Sequence, residues 1–225
     1  RAIMRKKYRR LPYFLLGHGL GSFIARTYAA AYPEENIDAL IISGTSGDDI
    51  STKSRKLVAN TVSLFRGKRH RSPLLFKIAF GGYNKRFTNE IKESKGNAYL
   101  TTDKEELSRY NSDKFCTFRF TARAYHDMFM IIDYNKEHLP PCSLPIYIFS
   151  GSEDPVGDYG QGVNALYDKY FDAGISDLTL KIYENERHEV LTGIKRLEAF
   201  DDLSVWIDRV IDAKIELMAQ SMRTF

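Results

Sequence analysis

Three short stretches carry residues whose types and spacing could do chemistry. The first is Gly17-His18-Gly19-Leu20-Gly21-Ser22, between an apolar run and a helical pattern. It admits two readings. As Gly-x-Gly-x-x-Gly between a strand and a helix, it would cradle a dinucleotide pyrophosphate, with Ser22 at the third glycine position. That reading also needs an acid at the end of the next strand to hold a ribose, and Ile37–Ser43 ends instead in Ser43, Gly44 and Thr45. As Gly-x-Ser-x-Gly, it would be a nucleophile elbow, with Gly19 standing where the serine belongs. Gly17 and Gly21 would then let strand and helix approach closely, and residue 19 would hold a strained backbone conformation. Ser22 lies one helical turn further on and should point elsewhere.

The second stretch is Gly151-Ser152-Glu153-Asp154-Pro155-Val156-Gly157, just past a late apolar run. An acid there could orient a histidine, or it could be a plain Asp-Pro turn. The third is Glu184–Glu189 (ENERHE), whose His188 taken alone reads as a surface loop residue. Together, an elbow, then an acid, then a histidine reproduce the chain order of the hydrolytic Ser…Asp…His triad. The joint pattern is far more specific than any one part.

These loops need rigid elements behind them. Tyr13–Leu16, Ile37–Ser43, Leu144–Ser150 and Leu178–Tyr183 are short, continuously apolar runs, as expected of strands buried in a parallel sheet. Helical spacing is expected over Ser22–Tyr32, Tyr159–Ala173 and Leu197–Gln220. The last of these carries a stripe of Phe200, Leu203, Val205, Trp206, Val210, Ile211 and Ile215. Residues 1–10 read as the end of a basic helix stopped by Pro12. Residues 48–140 are rich in Lys, Arg, Asn and Tyr, with Leu57, Val58, Val62, Leu64, Phe65, Tyr125, Met128, Phe129 and Ile132 at helical spacing. They read as a helical insertion. The chain therefore divides into core (1–47), insertion (48–140) and core (141–225), an α/β architecture with a parallel sheet and flanking helices.

At 225 residues the chain can bury a core without disulfides. Cys116 and Cys142 match no metal spacing and read as buried free thiols of a reducing, cytoplasmic compartment. No run approaches the ~20 apolar residues of a membrane span, and no secretory leader is visible. The net charge of +4 is mild, but Arg5, Lys6, Lys7, Arg9 and Arg10, and then Arg66, Lys68, Arg69 and Arg71 around His70, are clustered. Such clusters are usually solvated faces. No nucleic-acid-binding motif accompanies them, so nucleic acid is not expected as a partner, and contact with an anionic membrane surface stays open.

The segments LPYFLLGHGLGSFIARTY, IISGTSG, RGKRHRSPLL, IFSGSEDPVGDYGQGV and YENERHEVL resemble the α/β-hydrolase superfamily, in its bacterial lysophospholipase and monoacylglycerol-lipase-like branch. The resemblance implies a serine ester hydrolase without cofactor or metal, acting on a small acyl ester or monoacyl lipid. It implies Asp154 as the triad acid, His188 as the general base and Leu20 N–H as an oxyanion donor. It makes residues 48–140 a cap whose acyl tunnel would be lined by Phe76, Phe80, Phe118, Tyr125, Phe129 and Met130. His18 matches the branch's usual residue and is not expected to be catalytic. Two departures matter. Gly19 replaces the nucleophile, so no acyl-enzyme can form as the chain stands. The alternative is therefore a non-catalytic monoacyl-lipid-binding homologue. The branch's earlier strands, with their His-Gly oxyanion loop, have no counterpart after Arg1. The LPYFLLG strand is then expected to be an open sheet edge, covered by an N-terminal fragment, a second copy or a rearranged local segment.

Overall fold

A computed structural model describes residues 2–8, 11–35, 37–47 and 51–223. After a short helix α1 (Ala2–Lys7), the chain runs β1 (Phe14–His18), α2 (Leu20–Ala31) and β2 (Ala39–Ser43). Four helices follow: α3 (Lys53–Arg66), α4 (Pro73–Phe80), α5 (Lys104–Ser112) and α6 (Ala122–Glu137). Then come β3 (Ile146–Gly151), α7 (Gln161–Asp172), β4 (Leu178–Tyr183) and α8 (Arg196–Arg223). The four strands pair in parallel in the order β1-β2-β3-β4. This is the expected α/β alternation, with all helices of the insertion falling between β2 and β3.

β2 and β3 are buried along their whole length, which is why they read as continuous runs rather than alternating ones, while β1 and β4 at the edges are half-buried. Successive side chains point to opposite faces. Leu40 and Ile42 of β2, with Ile146 and Ile148 of β3, pack against Ala25 and Ala29 of α2 and Val163, Leu166 and Tyr170 of α7. The intervening Ala39, Ile41, Tyr147 and Phe149 pack on Trp206 and Val210 of α8. A separate core joins the insertion to α2: Phe23 meets Ala59, Leu75, Ala79, Tyr125, Met128, Phe129 and Ile132. Thr121 and Ser72 cap α6 and α4 by accepting from Ala124 and Leu75 N–H groups.

Several expectations need correction. Cys116 is only partly buried and Cys142 is exposed, although both are free thiols. On α8, Leu203, Trp206, Ile207 and Val210 pack on the sheet, whereas Phe200, Val205 and Ile215 face outward. The packed residues recur at three- and four-residue spacing, and Val205 and Ile215 fall off that seam. On α3, Val58 and Val62 pack inward at four-residue spacing, while Leu57 and Leu64 fall off that seam and are exposed; Phe65 keeps to the seam but lies in the helix's last turn, also exposed. The first basic cluster falls partly outside the described residues, which omit Arg9 and Arg10; Lys6 and Lys7 are exposed on α1. Arg66, Lys68, Arg69 and Arg71 are exposed, and the backbone of their loop is tied to α6 by Ala122 N–H to His70 O and Arg123 N–H to Lys68 O.

Among the described residues no strand pairs with the outer edge of β1, and Leu16 on it is 43% exposed. Among the described residues, no helix is long and apolar enough to cross a membrane.

Candidate active site

The three loops converge at the carboxyl ends of the strands, where parallel α/β sheets place their sites. β1 runs into a turn at Gly19, which has φ 55° and ψ −123°, and α2 starts at Leu20. That sharp strand-to-helix turn is the geometry of a nucleophile elbow. Gly17 is required beneath it: a Cβ there would lie 2.7 Å from the Gly21 carbonyl carbon and 2.8 Å from Ala25 Cβ. Gly21 differs from expectation, since a Cβ on it meets nothing within 4 Å. Its backbone, and not its missing side chain, makes the close approach. Ser22 Oγ donates to Gly19 O at 2.6 Å and is buried, so it does not face the site.

A Cβ on Gly19 would sit 3.1 Å from His188 Nε2. The other ring nitrogen, Nδ1, donates to Asp154 Oδ2 at 3.0 Å. Asp154 is fully buried, its Oδ1 accepting from Val156 N–H at 2.9 Å and its Oδ2 from Ser150 Oγ at 3.4 Å. His188 is 8% exposed. Burial pushes its imidazole pKa down, but the adjacent Asp154 charge and hydrogen bond, with Glu189 behind them, push it up further, and the net shift is upward. The arrangement leaves Nε2 aimed at position 19 with the tautomer fixed by Asp154, as a general base requires. Leu20 N–H opens α2, where the first N–H groups have no partner within the helix.

His18 stays outside this line. Its Nδ1 is 3.1 Å from Ser43 Oγ and its Nε2 is 3.2 Å from Glu189 Oε1, with its ring 4.7 Å from that of His188. Among the described residues, His18, His188 and Glu189 form the one group whose ligand atoms, within 4.8 Å of one another, could reach a common metal ion. His18 and Glu189 already face each other there.

The histidine loop is held by the insertion. His188 N–H donates to Tyr99 O and Glu189 N–H to Leu100 O. Arg187, nearly fully buried, grips Glu90 with both Nη atoms at 2.9 Å, donates to Ala98 O at 2.7 Å and stacks 3.9 Å over Phe87. Sequence reasoning missed this clamp; its signal was a charged residue directly beside the candidate histidine.

A cavity of about 210 Å³ opens on Gly19, Leu20 and His188. Of the expected tunnel residues, Phe80 and Phe129 line it. Phe76, Phe118 and Tyr125 line a larger hollow of about 620 Å³, which shares Phe80, Tyr99, Tyr110 and Phe120 with the first. Met130 is placed elsewhere, in a groove with Thr52, Lys56 and Asp133. It lies between the inward-facing Met128, Phe129 and Ile132 in sequence but on the other side of α6. Tyr83, Tyr99, Tyr110 and Arg55 also line the small cavity; no pattern in their surrounding sequence marked them.

The parallel sheet, the elbow and the loop order are those of an α/β hydrolase. Residues 2–194 match the family model of the serine aminopeptidases, S33, and the chain belongs to that family. It is 25% identical to the monoglyceride lipase of Homo sapiens over 92% of this chain and 61% of that protein, so it spans less than two thirds of that relative's length. Among solved structures it is similar to a thermostable carboxyl esterase from Bacillus coagulans in complex with glycerol. That match has 27% identity and a TM-score of 0.80, over 94% of this chain and 69% of the other. A lipase in an open form matches at 25% identity and a TM-score of 0.80, over 92% of this chain and 68% of that one.

Proposed function

We propose that the chain carries the acyl-ester site of a lipase- or lysophospholipase-type carboxylic ester hydrolase, in which Gly19 has taken the nucleophile's place and turnover is lost or crippled. The observation that carries this reading is the line from position 19 through His188 to Asp154, opening on an apolar cavity. With a serine at 19, His188 Nε2 takes its proton as it attacks the ester carbonyl. Asp154 steadies the resulting imidazolium, and Leu20 N–H meets the oxyanion. With glycine, the same residues can hold an acyl ligand but form no acyl-enzyme.

Residues 48–140 act as the cap, supported by their insertion between β2 and β3 and their hold on the His188 loop. Phe80 and Phe129, with Phe76, Phe118 and Tyr125 beyond them, contact the acyl chain. The two free thiols fit a cytoplasmic protein. The β1 edge, on which no strand pairs among the described residues, takes up a further strand, from a second copy or an N-terminal fragment.

The test is hydrolysis of a short-chain nitrophenyl ester by the chain and by Gly19→Ser. The reading expects no turnover by the first and turnover by the second. A folded Gly19→Ser protein without activity, but with monoacyl lipid still bound, supports the second reading, a non-catalytic lipid-binding homologue. The glycine itself favours that alternative.

A further inference from the structure

Arg55 on α3 lines the same small cavity as Gly19 and His188. The rest of the wall is Leu20, Phe23, Phe80, Phe120, Met128, Phe129 and other apolar or tyrosyl side chains. Apart from His188, Arg55 is the only lining residue among the described residues of an ionisable type other than tyrosine. It is half-buried, and among the described residues no carboxylate pairs with it. The acids bonded to the two histidines of the site are engaged: Asp154 by His188 and Glu189 by His18. A guanidinium at an apolar wall is costly unless it is solvated or meets an anion. Its planar fork of donors suits the two oxygens of a carboxylate.

Three tyrosines share the wall. Burial pushes the Tyr83 hydroxyl up to about 12, with Asp154 raising it and Arg55 opposing, and Tyr99 and Tyr110 are raised as well. All three therefore keep their protons at neutral pH and can add donors beside Arg55.

We propose that this cavity selects single-chain acyl ligands carrying an anionic oxygen group, a fatty-acid carboxylate first among them, with Arg55 as the counter-ion. The inference rests on the reading of the cavity as an acyl site, and it goes beyond it by naming the head group. Neutral monoacyl esters can accept a hydrogen bond from Arg55 but form no ion pair with it, so a chain lacking its nucleophile would hold the acid more firmly than the ester.

The experiment is calorimetric binding of decanoate, decyl phosphate, decanol and monodecanoylglycerol to the full chain, to Arg55→Gln and to Arg55→Lys. Decanoate should bind about ten- to hundredfold more tightly than decanol, the range of a charge-assisted hydrogen bond. Arg55→Gln should abolish that ratio and leave decanol unchanged, while Arg55→Lys should keep part of it. Decyl phosphate exceeding decanoate would overturn the carboxylate assignment. Equal binding of decanoate and decanol by the unaltered chain would overturn the role of Arg55 while leaving the acyl cavity standing. So would a preference surviving in Arg55→Gln, or an equal loss for both ligands, which marks a packing role. Failure of every ligand to bind would defeat the acyl reading and this inference with it.

Discussion

Replacing Arg187 by Met should unfasten the histidine loop from the insertion without removing any group of the proposed triad. Methionine keeps the buried hydrocarbon and loses the guanidinium. The Ala98 carbonyl, which accepts from Arg187 at 2.7 Å inside the protein, is left unpaired. An unsatisfied buried acceptor costs roughly 1–3 kcal/mol. The two 2.9 Å bonds to Glu90 are strong in form, but the Glu90 side chain is 49% exposed and is rehydrated when they break. Solvent screening discounts them to roughly 0.5–1 kcal/mol. The stacking over Phe87 adds about 0.5–1 kcal/mol. The sum is about 3 kcal/mol, which lowers Tm by about 6–12 °C in a chain of this length. Arg187 also holds the Glu90 carboxyl below its usual range. That part of the stability is present above the ordinary carboxylate value and is lost as pH falls through the lowered one, so the difference between the two proteins should narrow in acid. The assay is calorimetric melting of both proteins at neutral and acid pH, with ester turnover compared in a Gly19→Ser background. A displaced His188 should cost turnover about 10- to 100-fold. A Tm change under about 2 °C, or turnover unaffected by the change, would refute the clamp.

Three further outcomes follow from the geometry. In the Gly19→Ser background, Asp154→Asn should lower turnover by about 10³–10⁴-fold, since the wrong His188 tautomer is then favoured; steady-state kinetics on a nitrophenyl ester checks it. The upward shift of His188 means its ion pair contributes stability fully below the unfolded histidine value of about 6.5 and loses it as pH rises through the folded one. Urea midpoints of the chain and of His188→Gln should therefore differ most near pH 6 and converge in alkali. Gly17→Ala should destabilise by about 1–3 kcal/mol through its clash with Gly21 and Ala25, whereas Gly21→Ala should be neutral or slightly stabilising; thermal melting separates the two.

Strand positions were legible because four continuously apolar runs end in glycine or polar turns, as strands of a covered parallel sheet do. The order of the three candidate loops was legible because Gly19, Asp154 and His188 each follow a strand. What failed was side-chain direction on helices. Met130, Val205, Phe200 and Leu64 are apolar, and apolar character alone does not say which way a residue faces once a seam of only three or four residues is used. The Arg187–Glu90 clamp and the Arg55 wall were hidden because their partners lie far apart in sequence. A lone arginine in a polar insertion reads as surface until the cavity beside it is seen.

The central claim is that position 19 is a nucleophile's place, served by His188 and Asp154. Intact-mass measurement after treatment with an alkyl fluorophosphonate tests it most directly. No adduct is expected on the chain itself, one adduct on Gly19→Ser, and its loss when His188→Gln is added. Labelling of the unaltered chain, or no labelling of folded Gly19→Ser, would contradict it.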